Sequence, residues 1–578
     1  MKSVLFRKKA LDQVLAQAAR GEGEEERVAL ARQLTARDLT ALGIAAIIGA
    51  GIFSTIGTAS AGGGPGVVLL FVFTAIACSC TAFAYAEFAS MVPVAGSAYT
   101  YSYVAFGEII AWIIGWALIL EYAIGNVTVA VSWSDYFTAL LASAHVHLPG
   151  WATTDYVSAS RGFSAAVAGM SSGQSLEALS PIVQSGYKAW TGAPSIAGFH
   201  VILDVPAVLI TCLVTWVVYT GVKESKNLNN VMVVVKLVVI VAVIVVGAFF
   251  VKPSNWDPFL PNGVPGILKG VSAVFFAYIG FDAISTMAEE CRNPERDLPR
   301  GIMGAIIIST VLYVLIGLVL TGMVSYSRLG VGDPLAYVFS SIGMPWFAGI
   351  VAVSAVVAMT SVLLVFQLGQ PRIWLAMSRD GLLPKAFSRI HPRHRTPSYA
   401  TIMTAVVVIV PTLLIPSDAV VQFCSMGTLA AFVLVCAGVL KLQNDPNRPK
   451  GKFRTPYVNA KYGLPIAILL ALILVRLFAH EWWSLTEFHG FARDKDKIPM
   501  YLFLLGCACL AVQAYRRNLS LIPSLGLLFS LFMMAQLPLA SWLAFAAWLS
   551  AGLVIYFAFG MSHSALAKVQ PTKWKDEP

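Results

Sequence analysis

The sequence predicts an all-α integral membrane protein, a bundle of about fourteen membrane-crossing helices. Three observations carry that prediction: the composition, the recurrence of long apolar stretches and the spread of positive charge. Of 578 residues, 57% are hydrophobic and 12% charged, about half the roughly 25% charged share of a soluble domain. A water-soluble fold has no way to hide so much apolar surface, whereas a lipid solvent removes the difficulty.

A bilayer core is crossed by about 20 apolar residues in a helix. Such stretches are read at 39–60, 66–90, 108–141, 203–222, 228–251, 266–289, 301–325, 345–370, 398–415, 419–440, 464–479, 499–515, 519–538 and 541–562.

The formal net charge is +10. With the N-terminus inside and the spans alternating, 30 of the 40 Lys and Arg fall in the N-terminal arm, the inner loops and the tail. This is the positive-inside bias, so the charge records topology and not a nucleic-acid surface. It predicts a multi-pass protein of the plasma or inner membrane with both termini cytoplasmic. Residues 1–38 carry an acidic cluster at Glu22–Glu26 and no long apolar core. They read as a cytoplasmic arm, with an amphipathic helix as one option, and not as a cleavable signal. Six of the eight cysteines, Cys78, Cys80, Cys212, Cys436, Cys507 and Cys509, lie inside predicted spans, so neither a disulfide framework nor a metal spacing is read.

The Ser-, Ala- and Gly-rich outer segment 143–202 shows no core of its own, and 371–397 and 441–463 are basic inner loops. The segment 480–498, with Trp482, Trp483 and His489, reads as an outer interfacial loop.

Two spans are interrupted. The first holds Ile48-Gly-Ala-Gly-Ile-Phe53 in its middle, and the sixth holds Phe276-Ala-Tyr-Ile-Gly-Phe-Asp282. Glycine costs about 1 kcal/mol against alanine inside a helix. One such glycine is explained by close helix packing. A pair at the first and sixth spans matches transporters built from inverted repeats, which place broken helices at corresponding positions. Unwinding frees backbone groups in hydrocarbon, and these need partners. A zwitterion supplies them: its carboxylate suits N–H groups at a half-helix start, and its ammonium suits freed carbonyls.

Five segments then identify a resemblance. They are Gly49-Ala-Gly-Ile-Phe53, Tyr85-Ala-Glu-Phe-Ala-Ser-Met-Val-Pro-Val-Ala-Gly-Ser-Ala-Tyr99, Phe276-Ala-Tyr-Ile-Gly-Phe-Asp282, Asn293-Pro-Glu-Arg-Asp-Leu-Pro-Arg300 and Ser378-Arg-Asp-Gly-Leu-Leu-Pro384. In this order the chain resembles the amino acid–polyamine–organocation superfamily, and within it the cationic amino acid transporters and their bacterial relatives. The resemblance implies a LeuT-like core of five plus five helices in inverted repeats. Residues 39–251 would form the first repeat, 252–441 the second, 442–562 the additional helices and 563–578 a cytoplasmic tail. It implies a permease, proton-coupled, moving amino acids by alternating access; a cationic substrate, an exchange mode and a transporter-like sensor remain alternatives. The carbonyls of Ile47, Phe276, Ala277 and Ile279 would take the substrate ammonium. The amides of Ala50 and Gly51, beside Gly49, would take the carboxylate. The family often has Thr or Ser where this chain has Ala50, so a hydroxyl contact is lost here.

Ionisable groups inside a membrane are costly and point to function. Lys236 lies mid-span, and the resemblance places it where sodium-coupled members of the fold hold a cation. Its amine would bond to carbonyls near Gly43–Ala46 and to Thr360 and Ser361, and would serve proton coupling; a structural lysine reaching for the surface is the alternative. Glu121 is expected near the substrate pocket or in a structural bond. Asp282 is read as a partner for freed amides or as a proton relay. Glu87 is expected to gate an inner end or to pair with an inner-loop Arg. Phe366, by resemblance, faces the substrate side chain and favours small neutral amino acids over arginine, with ordinary packing as the alternative.

None of the eight histidines lies mid-span, and no Walker A motif, nucleophile elbow or metal spacing is present, which argues against an enzyme or an ATP-driven pump. No cofactor is expected. The expected partners are an amino acid, a proton and the lipid bilayer, with room for a small single-span membrane partner.

Overall fold

A computed structural model describes residues 5–9, 34–92, 96–196, 198–443, 451–478 and 495–569. The arm cluster Glu22–Glu26, the residues Trp482, Trp483 and His489, and the tail from 570 onward lie outside the described residues.

Lipid offers no partner for backbone N–H and C=O groups, so apolar sequence satisfies them within helices. A helix or an interrupted helix stands at each predicted stretch. Helices α1 (Ala36–Ile47) and α2 (Ile56–Gly63) form the first, followed by α3 (Val67–Met91) and a short α4 (Ser97–Ala105). Helices α5 (Glu108–Ile119) and α6 (Gly125–Ser143) continue one another through a π-turn at Leu120–Ile124. After a hairpin of α7 (Tyr156–Ser171) and α8 (Pro181–Gly192) come α9 (Val205–Thr220) and α10 (Val222–Ala248). The sixth stretch is α11 (Val271–Phe276) and α12 (Ala283–Thr286). The chain continues with α13 (Pro294–Met323), α14 (Pro334–Ser341), α15 (Pro345–Arg379), α16 (Ser398–Leu414), α17 (Ser417–Gln443), α18 (Gly463–Phe478), α19 (Ile498–Arg517), α20 (Leu521–Ala535) and α21 (Leu539–Ile555). Among the described residues, eight helical stretches are long and apolar enough to cross a membrane, and α9, α16, part of α18 and α20 are shorter apolar helices.

Helix starts follow local chemistry. Thr35 and Asp38 close a capping box on α1, with the Thr35 N–H donating to Asp38 Oδ2 at 2.9 Å; this satisfies donors that a first turn leaves open. Helix α13 opens on Pro294 with Glu295 and Asp297 in its first turn, which suits its dipole. Helix α1 packs on α13 and α10, α3 packs on α13, and α15 packs on both α6 and α10. The two interrupted stretches are thereby held at the centre of the large core, while exposed apolar residues such as Val231, Val234, Val238, Ile307 and Val311 form the outer, lipid-compatible surface.

The segment 143–202 differs from its expectation. Helices α7 and α8 cross at Gly162 and Gly186, where a Cβ on Gly162 would lie 2.7 Å from the Gly186 Cα. Ala159, Ala189 and Ile202 are buried with Trp151, Tyr156 and Trp190 around them, and Phe163 stacks on Tyr187 and Trp190. A two-stranded ribbon, β1 (Ser195–Ile196) and β2 (Phe199–His200), pairs antiparallel with Ser195 opposite His200. This small core is built from Ala, Gly and a few aromatics, so it does not appear as an apolar run.

Candidate functional site

The first helix stops after Ile47. Ile48 is extended, with φ −85° and ψ 96°, and helical turns resume as a π-helix at Gly51. In the sixth stretch, Gly280 has φ +114°, a left-handed conformation that favours glycine. The two breaks press on each other. A Cβ on Gly51 would collide with the backbone of Ala277, and one on Gly280 would lie 2.6 Å from the Ala46 Cβ. Contact requires glycine at both positions, and at Gly280 the conformation requires it as well.

Between the breaks lies a cavity of about 10 Å³, the size of a single water. Ile47, Ala50, Gly51, Phe276, Ile279 and Phe366 line it, together with Ala46, Val129 and Val362. Phe366 is 2% exposed and meets the Tyr122 ring edge-on at 5.7 Å. Gly49 packs on Val362, and Ala277 sits behind Gly51; neither lines the cavity.

Lys236 is fully buried on α10, and its Nζ donates to Ala45 O at 3.1 Å, to Ile48 O at 2.8 Å and to Ser361 Oγ at 2.9 Å. Ser361 in turn donates to Ala358 O at 2.6 Å, so its oxygen is free to accept. Three acceptors match the three donors of an ammonium. Thr360 is not among them. Its hydroxyl donates to Val356 O and accepts from Trp133 Nε1 at 2.9 Å. Adjacent helical residues point about 100° apart, so only one of the pair faces α10, and the expectation for Thr360 is corrected.

A residue not singled out from sequence completes the breaks. Tyr313, on α13, donates its hydroxyl to Ile47 O at 2.6 Å and to Ala277 O at 2.8 Å. One hydroxyl proton thus spans both interrupted helices, and it takes two of the carbonyls expected to face an ammonium. The Phe276 carbonyl accepts from the Ile279 N–H at 3.2 Å and closes a turn of the break.

Glu121 and Asp282 are brought together, fully buried, but outside the cavity lining. Tyr122 connects them to it, since its hydroxyl donates to Asp282 Oδ2 at 2.5 Å while its ring meets Phe366. Nearby, Asn126 donates to Gln367 Oε1 at 3.1 Å, and Gln367 donates to Thr215 at 2.8 Å.

Buried polar contacts join the elements around the site. On the far side, Tyr136 donates to Phe53 O at 2.5 Å. On the N-terminal side, Arg372 pairs with Glu290 at 2.6 Å, and Lys9 pairs with Asp380, which also accepts from Tyr99 at 2.7 Å. Glu108 gathers the hydroxyls of Tyr103, Tyr556 and Ser564 at 2.6–2.9 Å. Glu87 accepts from the Thr455 N–H at 3.1 Å. A sequence search for ionisable residues at span ends would have found Arg372 and Glu290, but not their pairing.

Comparison with known proteins agrees with this architecture. Residues 34–490 match the family described as amino acid permease, and residues 519–564 match the C-terminus of that permease type. The branched-chain amino acid permease BcaP of Bacillus subtilis (strain 168) is 39% identical over 477 residues, 82% of this chain and 93% of the relative. A methylthioribose transporter of the same organism is 39% identical over 458 residues, 79% of this chain and 89% of the relative. The chloroplastic cationic amino acid transporter 9 of Arabidopsis thaliana is 32% identical over 552 residues, 93% of this chain and 89% of the relative. With the interrupted helices and the family match running through the same residues, the chain belongs to the amino acid permease family.

Proposed function

We propose that this permease moves small neutral amino acids across the plasma or inner membrane by alternating access, coupled to protons. The observation that carries the coupling is the Lys236 amine, bonded at once to the broken first helix and to Ser361 on α15. Loss of a proton leaves the amine two donors for three acceptors, which loosens its hold on the break beside the cavity. Protonation and the opening of α1 are then linked. Glu121 and Asp282 give the cycle a second pair of neighbouring buried carboxyl groups to protonate.

Residues 39–251 and 252–441 act in this reading as the two inverted repeats, about fourteen spans cross the bilayer, and both termini face the cytoplasm. The substrate ammonium displaces the Tyr313 hydroxyl from the carbonyls of Ile47 and Ala277, and the amides of Ala50 and Gly51 receive the carboxylate. Side chains of Val129, Val362, Ile279, Phe276 and Phe366 offer an apolar receptacle with no acid for a cationic side chain, as a branched-chain or smaller substrate requires.

The test is uptake of labelled alanine and leucine into proteoliposomes with and without an inward proton gradient. Gradient-driven accumulation independent of sodium is expected. Non-concentrative flux would remove the coupling. Competition by methylthioribose or arginine, but not by neutral amino acids, would remove the substrate class.

A further inference from the structure

On the side of the protein where the Leu34 backbone bonds to Glu290 and Arg292, a cleft of about 770 Å³ opens between the start of α13 and the segment after residue 450. Arg292, Arg296, Arg300 and Lys452 line it, with Glu295 as the acid among them. Glu295 is taken by Lys452 at 3.0 Å. Among the described residues no carboxylate pairs with Arg292, Arg296 or Arg300, and all three are exposed. Three unpaired guanidiniums around one cleft are a receptor for phosphate oxygens, which they bind with two parallel N–H donors each.

The cleft is firmly built on its other wall. Phe453 stacks on Phe83 of α3 at 6.2 Å, and its carbonyl accepts from Ser90 at 3.0 Å. The floor turns apolar at Met303. From there the same helix face continues: Arg296, Arg300, Met303, Ile307 and Val311 recur at three- and four-residue spacing, which places them on one side of α13. Ile307 and Val311 are 58% and 54% exposed. One helix face therefore passes from guanidiniums into a lipid-compatible surface. A soluble phosphate would use only the first half of that face. A phospholipid uses both, with its headgroup in the cleft and an acyl chain along Ile307 and Val311.

We infer that this cleft is a binding site for an anionic phospholipid headgroup, seated between α3 and α13 in the leaflet on the N-terminal side. Basic clefts between membrane helices on the cytoplasmic side bind such headgroups. Because α13 packs on α1 and carries Tyr313, the occupied cleft steadies the helix that spans both breaks. The inference does not depend on which substrate the protein carries.

The test is thermal unfolding of the purified full chain in detergent with phosphatidylglycerol, with phosphatidylcholine of the same acyl chains, or with glycerol 3-phosphate. Phosphatidylglycerol alone is expected to raise the midpoint. The double variant Arg296→Gln/Arg300→Gln is expected to need about 25-fold more of it for the same shift, roughly five-fold for each cation removed. Arg389→Gln/Arg393→Gln, outside the cleft, controls for general charge and should respond as the unaltered protein does. If the cleft variant does not fold, Lys452→Gln, an exposed residue, carries the same comparison with a smaller loss. An equal shift with phosphatidylcholine overturns the inference, as does an undiminished response of the cleft variants. An equal shift with glycerol 3-phosphate assigns the cleft to a soluble phosphate and overturns the lipid.

Discussion

Arg372 and Glu290 form an ion pair in the interior, with side chains 2% and 1% exposed, joining the end of the sixth stretch to α15. Removing one partner from such a pair leaves a buried charge and costs about 3–5 kcal/mol. Arg372→Met should therefore lower the unfolding midpoint sharply, and Arg372→Met/Glu290→Gln should recover most of the loss. If the single variant is as stable as the unaltered protein, the pair is not holding this side closed.

Lys236→Met removes three hydrogen bonds at once. Transport driven by a proton gradient should vanish, while counterflow of alanine across proteoliposomes is retained at a reduced rate. Two freed carbonyls, Ala45 and Ile48, each cost about 1–3 kcal/mol when left without a donor, so the variant should also melt lower. Retained gradient-driven accumulation would rule out Lys236 as the coupling group.

Tyr313→Phe should separate the two carbonyls it bridges from their donor. Stability without substrate should fall by about 1–2 kcal/mol, and the extra stabilisation on adding alanine should be larger than in the unaltered protein, since the ammonium then supplies the missing donor. An unchanged alanine-induced shift would show that the ammonium binds elsewhere.

Phe366→Ser should enlarge the space between the breaks and admit arginine or lysine. Competition against labelled alanine checks this. A competition profile identical to that of the unaltered protein would place the substrate side chain away from Phe366.

Asp204 stands just ahead of α9, accepts from Ser134 Oγ at 2.6 Å and the Ala207 N–H at 3.1 Å, and is pushed by burial from 3.8 up to about 6. The folded value lies above the unfolded one, so the stability tied to this group is fully present below pH 3.8 and lost as pH rises through about 6. Melting curves from about pH 3.5 to 6.5 should show that decline, at most about 3 kcal/mol over the whole interval, and Asp204→Asn should flatten it.

Much of this was legible in the sequence, for physical reasons that differ by residue. The helix breaks announce themselves because glycine in mid-membrane is disfavoured unless the backbone leaves the helix. Lys236 stands out because a charge among valines has no ordinary use. Thr360 was misread because sequence adjacency is not facial adjacency on a helix. Tyr313 was missed because a tyrosine in a span is unremarkable until its hydroxyl is seen between two carbonyls. The core of the α7–α8 hairpin was hidden because small residues make close contacts without making an apolar run.

That hairpin gives the protein a marker of its own sidedness. Ser175 lies exposed in the connection between α7 and α8, on a unit that packs around its own aromatic residues. With the exposed Cys212 and Cys509 changed to Ser, a thiol placed there, Ser175→Cys, would meet a membrane-impermeant reagent from one face of the membrane only. Labelling intact cells against opened ones would fix the orientation of every helix in the chain from that one position.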